Sequence, residues 1–169
     1  YLLATKENWI IVKPNEHFQE LECYVDADFA GAYNKEYNDD PISVKSRTGY
    51  VIKYAGCPIA WASKLQTEIA LSTTEAEYIA LSQSTRELIP TRAIILELSS
   101  ILKIPCAKLN LKCTIIEDNK GAEQLAKVPK HRPRTKHIAI KYHHFREWVK
   151  NGIMTILHVS SEDQQADIF

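Results

Sequence analysis

The chain has 169 residues, 45% of them hydrophobic and 25% charged, a balance that fits one soluble domain with its own core and excludes a fibrous or disordered chain. Lysine plus arginine and aspartate plus glutamate number 21 each, so bulk charge gives no reason to expect a polyanion partner. No apolar run nears the ~18–20 residues of a membrane span, and the opening YLLATKENWI lacks the charged, apolar, then small order of a signal peptide.

Residues 1–19 have no clear period and read as a lead-in, with a short strand at Trp9–Val12. The absence of an initiator Met suits a piece of a longer chain. LECYVDADF (21–29) alternates: Leu21, Cys23, Val25, Ala27 and Phe29 point one way, Glu22, Tyr24, Asp26 and Asp28 the other. That is a half-buried strand. The polar stretch 30–46 is a loop. RTGYVIKYA (47–55) and PIAWAS (58–63) follow as strands, and the short Gly56–Cys57–Pro58 link makes them a hairpin. Helical spacing of Ala76, Ile79, Ala80, Leu88, Ile95, Leu98 and Leu102 spans about 74–103, and Pro90 is expected to split this run into two helices. LNLKCTIIED (109–118) reads as a strand and NKGAEQLAK (119–127) as a short helix. A helix over about 136–150 is stopped by Asn151–Gly152. A strand over 153–159 and a final helix starting in SEDQQADIF close the chain. The order is β-β-β-α-α-β-α-α-β-α, an α/β pattern. It predicts one mixed sheet covered by helices, with the fourth strand beside the first.

The four cysteines, Cys23, Cys57, Cys106 and Cys113, form no C-x-x-C pair and no zinc-like spacing with histidine, so buried free thiols are expected. Charge is unevenly placed. Between Glu123 and Glu147 there is no acid, while Lys127, Lys130, Arg132, Arg134, Lys136, Lys141 and Arg146 accumulate beside four histidines. Such a segment is either a solvated surface or a phosphate-binding one.

Five acids stand out. Asp26 and Asp28 lie on an apolar-rich strand, where Asp is disfavoured. Glu75 opens the long helix, Asp118 ends the fourth strand, and Asp167 falls in the last helix. Each has an ordinary explanation as well. Ser72-x-x-Glu75 and Thr74-x-x-Glu77 both fit a capping box, and Asp118 fits an N-cap. Gathered at one strand end, however, these carboxylates would repel one another unless a cation sat among them, and oxygen donors suit Mg²⁺ or Mn²⁺. The residues alone do not choose between Asp26 and Asp28.

YVDADFAG (24–31), SKLQTEIALSTTEAEYIALSQ (63–83), EDNKGAEQLAK (117–127), RTKHIAIKYHHFRE (134–147) and SSEDQQADIF (160–169) occur in this order. Together they resemble the ribonuclease H domain of copia-type LTR retrotransposon Pol polyproteins. The resemblance runs from about residue 20 to the end. Residues 1–19 resemble the lead-in from the preceding reverse transcriptase or connection region, so 20–169 would be the domain proper. It implies a ribonuclease H-like fold, five strands in a mixed sheet, three antiparallel and then two parallel, flanked by helices. It also implies endonucleolytic hydrolysis of the RNA strand of RNA–DNA hybrids during reverse transcription, in a cytoplasmic virus-like particle.

Carried over position by position, the resemblance assigns four metal-binding and catalytic acids: Asp26 in Tyr24–Val25–Asp26, Glu75 after Thr74, Asp118 before Asn119, and Asp167 in Gln165–Ala166–Asp167. It favours Asp26 over Asp28 and Glu75 over Glu77. Two Mg²⁺ ions are implied, with Mn²⁺ as a substitute; Asp26 would bridge them, Glu75 and Asp118 completing one site and Asp167 the other. Ser72, Thr73 and Gln66 are candidate hybrid contacts. Arg132, Arg134, Lys136 and Lys141 would hold phosphates, and His137 in RTKHI is a further candidate contact. The reverse transcriptase domain of the same polyprotein is the implied protein partner. One departure is visible: many ribonucleases H carry a histidine in the loop before the last Asp, and Ser160–Gln164 contains none. Two alternatives stay open, an inactive hybrid-binding module of the same fold and an integrase- or transposase-like nuclease.

Overall fold

A computed structural model describes residues 12–15, 20–33, 42–103, 111–127 and 143–169. Five strands form one sheet: β1 (Leu21–Asp28), β2 (Arg47–Tyr54), β3 (Cys57–Leu65), β4 (Cys113–Glu117) and β5 (Met154–His158). Their spatial order is β3-β2-β1-β4-β5. β1, β2 and β3 pair antiparallel, while β4 lies parallel to both β1 and β5. This is the expected mixed sheet with the fourth strand beside the first.

The alternation of β1 sets its register. Leu21, Cys23, Val25 and Ala27 are buried, and the residues between them are not. A one-residue slip would put Asp26 in the core, so burial of one face specifies the pairing. Opposite them, β2 contributes Tyr50 and Ile52, β4 Cys113 and Ile115, and β5 Met154 and Ile156 to the same core. Cys23, Cys57 and Cys113 are buried free thiols, as expected; Cys106 lies outside the described residues.

The long helix α1 (Thr73–Ile101) covers this core with Ala76, Ile79, Ala80, Leu81 and Leu88. Truncating a side chain such as Leu81 there would cost about 2–5 kcal/mol. Pro90 does not split it: the helix runs through without interruption. Proline removes one backbone donor, whose acceptor would have been the Arg86 carbonyl. Arg86 lies on an exposed stretch, where losing one backbone bond costs little, and burial of the preceding turns carries the helix on.

α2 (Lys120–Lys127) follows β4 directly, and its amphipathic face buries Ala122, Leu125 and Ala126. A Cβ on Gly121 would come 2.9 Å from Thr74 Oγ1, so the glycine lets the two helix starts approach each other. Of the helix expected over 136–150, α3 (Arg146–Lys150) is described, and 128–142 lies outside the described residues. Phe145, just before α3, is fully buried against Tyr78 of α1, ring centroids 5.2 Å apart. Tyr78 also shares a 2.7 Å hydrogen bond with Nδ1 of His143.

The expected final helix is not there. After β5 the chain makes one 3₁₀ turn, Ser161–Asp163, and continues in turns to Phe169. Its backbone bonds are of the short type, Gln164 N–H to Ser161 O and Phe169 N–H to Ala166 O. Gln164 is buried and spends its side chain on the sheet, which holds the segment flat. Among the described residues, no helix is long and apolar enough to cross a membrane.

Candidate functional site

Asp26, Glu77 and Asp118 each offer one carboxylate oxygen, and the three oxygens lie within 4.8 Å of one another. Asp26 comes from near the end of β1, Asp118 from the residue after β4, and Glu77 from the second turn of α1. Because β1 and β4 are adjacent and parallel, their carboxyl ends open on the same edge. Sites in open sheets form at such edges.

The electrostatics of the cluster are those of crowded acids. Burial raises Asp26 to about 6, helped by the charges of Asp118 and Asp167. Burial again, with Asp26 and Asp118 behind it, raises Glu77 to about 9. Glu117 is fully buried behind the cluster and is held well above the ordinary glutamate value, first by desolvation and then by Glu77. Its Oε1 accepts the Asn119 N–H at 3.1 Å. Oε2 of Glu77 and of Glu117 are buried with no hydrogen-bond partner among the described residues.

A divalent cation answers these features. An oxygen-only donor set suits Mg²⁺ or Mn²⁺, and its charge removes the repulsion that otherwise keeps protons on the acids. The buried, unpartnered Oε2 of Glu77 is the kind of atom such an ion satisfies. The residues present therefore fit a divalent metal.

The geometry gathers a different glutamate from the one the resemblance assigned. Glu75 is not in the cluster; Glu77 is. Oε2 of Glu75 accepts the Leu71 N–H at 2.8 Å, and the Glu75 N–H donates to Ser72 Oγ at 3.1 Å. This is a variant of the capping box. Two residues apart on a helix, positions 75 and 77 point about 200° apart, so one faces the helix start and the other the strand ends. The helix pattern does not separate them: Glu77 heads the buried row Leu81–Ser84–Leu88, and Glu75 heads the equally buried row Ile79–Ser82.

The other acids fall as follows. Asp28 is exposed, and its carboxylate lies over Gly31, where an added Cβ would collide with it. The carboxylate thus lies over the turn after β1 and is not among the three clustered acids. Asp118 is not the N-cap of α2. That role belongs to Asn119, whose Oδ1 accepts the Gly121 and Ala122 N–H groups at 2.9 and 3.1 Å. Asp118 instead accepts a 2.7 Å bond from Ser161 Oγ. Asp167 stands beside the cluster, close enough to raise Asp26 electrostatically, without joining the three-oxygen group.

Asp167 is brought there by a glycine. Gly49 pairs directly with Asp26 across β1 and β2. A Cβ on Gly49 would sit 2.8 Å from the Phe169 Cβ and 3.0 Å from the Ala166 carbonyl oxygen. Only a residue without a side chain lets the terminal segment cross β2 at this height.

Among the expected contacts, Ser72 is occupied as the N-cap of α1, and Thr73 is exposed next to it. Gln66 is buried, donating to Thr48 Oγ1 at 3.1 Å and to the Ala76 carbonyl at 2.9 Å. It is a strut between β2 and α1, not a surface contact. Arg132, Arg134, Lys136, His137 and Lys141 lie outside the described residues. The sequence carries no signal for the roles of Gln164, Ser161, Glu117 and Gly49: the first two lie in a short turn without periodicity, and the other two lie inside strands whose pattern does not show what packs against them.

No family model matches the chain. It is 36% identical over 148 residues, 88% of its length, to the retrovirus-related Pol polyprotein from transposon TNT 1-94 of Nicotiana tabacum. It is 35% identical over 167 residues, 99% of its length, to that from transposon RE2 of Arabidopsis thaliana. In both cases it spans 10% of the relative's own length. Among solved structures it resembles LC11-RNase H1, isolated from compost by a metagenomic approach, with a TM-score of 0.51 and 19% identity. That match covers 89% of this chain and 92% of the other. The chain is a homologue of one segment of the retrovirus-related Pol polyproteins of plant transposons, and its fold is that of ribonuclease H.

Proposed function

We propose that the chain is the ribonuclease H domain of a copia-type retrotransposon polyprotein, which hydrolyses the RNA strand of RNA–DNA hybrids. The observation that carries this is the gathering of Asp26, Glu77 and Asp118 oxygens within 4.8 Å at the edge where β1 and β4 end. In this reading Asp26, Glu77 and Asp118 hold divalent ions, with Asp167 completing the acid set from the terminal segment. The chemistry that two Mg²⁺ or Mn²⁺ ions supply when bound is activation of the attacking water and stabilisation of the leaving 3′ oxygen. The products are 5′-phosphate and 3′-hydroxyl ends.

The protein's own share is to hold four acids from four chain segments around the scissile phosphate. Hybrid recognition rests on backbone shape and 2′-hydroxyl contacts, not on base sequence. Exposed Thr73, at the α1 end nearest the cluster, and the basic residues Arg132, Arg134, Lys136 and Lys141 are assigned to substrate, with His137 beside them. The polyprotein's reverse transcriptase domain is the natural partner, in the cytoplasmic particle where reverse transcription runs. An acid drawn from the first long helix supports hybrid hydrolysis over strand transfer, and a complete acid set supports an active domain over a degenerate one.

The test is cleavage of an RNA–DNA hybrid, duplex RNA and duplex DNA in Mg²⁺, with Asp26→Asn as control. Metal-dependent cutting of the hybrid's RNA strand, lost in the variant, is expected. No cleavage by the chain joined to its reverse transcriptase, or cutting of duplex DNA instead, overturns the reading.

A further inference from the structure

We infer that Gln164 is a positioning residue for the metal site: its side-chain amide ties together the three chain segments that carry Asp26, Asp118 and Asp167. The inference rests on the metal-site reading above.

The parallel ladder between β1 and β4 ends at the pair Tyr24 and Ile116. Gln164 takes over at that point. Its Nε2 donates to the Val25 carbonyl at 2.8 Å and, more weakly, to the Ile116 carbonyl at 3.5 Å. Val25 immediately precedes Asp26, and Ile116 stands two residues before Asp118. One amide therefore spans both strand ends just beneath their acids. Its Oε1 accepts the Ala166 N–H at 3.2 Å, and its backbone carbonyl accepts the Asp167 N–H at 3.4 Å. The same residue thus sets where the Asp167 turn sits relative to β1 and β4.

Gln164 is buried, only 6% exposed. A buried primary amide is costly unless its donors and acceptor are used, and here both ends are used. An apolar side chain would fill the space at lower cost if filling were all that was required. The tie also works against a force: Asp26 and Asp118 bring carboxylate oxygens within 4.8 Å of each other at the two strand ends, and like charges that close repel, so the ends need holding together. A ligand set must be held in place before the ion arrives, and groups behind metal ligands commonly carry that task.

Mn²⁺ affinity, measured by calorimetry on the whole chain, tests this. The variants are Gln164→Leu, which removes donors and acceptor, and Gln164→Glu, which keeps shape and removes both donors. Affinity is read at a temperature where circular dichroism shows each protein folded. The expected result is Mn²⁺ binding weakened about 10-fold or more in both. The loss from Gln164→Leu should be smaller in an Asp167→Asn background, because part of what Gln164 positions is then already gone. A lowered melting temperature with unchanged affinity, or unfolding of both variants, makes Gln164 a structural clasp alone and overturns the inference. If the unaltered chain binds no Mn²⁺ at all, the metal-site reading falls first and takes this with it.

Discussion

Replacing Asp26 by Asn should stabilise the metal-free protein at neutral pH while removing its response to metal. Asp26 is raised from 3.8 to about 6 in the fold. A raised carboxyl binds its proton more tightly when folded than when unfolded. Stability is therefore fully present below about pH 4 and is lost as pH climbs through about 6. A shift of about 2 units corresponds to about 3 kcal/mol at full burial. Asp26 is only partly buried, so solvent screening reduces this to about 1.5 kcal/mol. For a chain of this size that is a gain of roughly 3–6 °C in melting temperature. The assay is a thermal melt in a chelator at pH 4 and pH 8, repeated with Mn²⁺. In chelator the variant should melt higher at pH 8, and the gap should close toward pH 4. With Mn²⁺ the order should reverse, because only the unaltered protein gains binding free energy. A variant that melts at or below the unaltered protein at pH 8 in chelator refutes the argument that these acids are held together against their own repulsion.

Glu77→Gln should weaken Mn²⁺ binding by about 10–100-fold. Glu75→Gln should cost about 1 kcal/mol of stability from the weakened cap and leave the metal affinity in place, and calorimetry on the pair separates the two roles. Gly49→Val should destabilise by about 1–3 kcal/mol through overpacking against Phe169 and Ala166. The same change should lower hybrid cleavage, because the segment bearing Asp167 is pushed off β2; unchanged cleavage would show that Asp167 is placed by something else. Charge reversal at Arg134 and Lys136 should weaken hybrid binding and flatten its dependence on salt, by roughly one unit of log–log slope for each phosphate no longer neutralised. A salt titration of the hybrid complex reads this directly.

What the sequence reveals and what it hides divide along physical lines. Strands announce themselves when one face is buried, and β1 does so through Leu21, Cys23, Val25 and Ala27. The β3-β2-β1-β4-β5 order then follows from chain connectivity and handedness. Pro90 misleads because a local rule about proline competes with the burial of the turns from Glu75 to Leu88 that precede it, and the helix runs on. The terminal segment misleads in the opposite direction. SEDQQADIF looks helical by composition, yet Gln164 is drawn into the sheet and the chain stays in turns.

The confusion of Glu75 with Glu77 is the most instructive of these differences. Both glutamates sit in the first turns of α1, both are equally buried, and both fit a capping box on paper. What separates them is the partner each meets. The Leu71 N–H takes the Glu75 carboxylate and Ser72 takes its backbone N–H, both at the helix start and away from the three clustered oxygens. Glu77 faces Asp26, Asp118 and Glu117, and its proton affinity rises by more than its backbone bond to Ala27 can offset, with Oε2 left without a donor among the described residues. A carboxylate held by the helix start is a cap, and one crowded by carboxylates is a ligand waiting for charge. The distinction depends on strand β4, far along the chain, so no local pattern around TTEAEY carries it. The buried stripe Glu77–Leu81–Ser84–Leu88 does not carry it either, because Glu75 heads an equally buried row through Ile79 and Ser82; the strand ends that Glu77 meets tell the two apart.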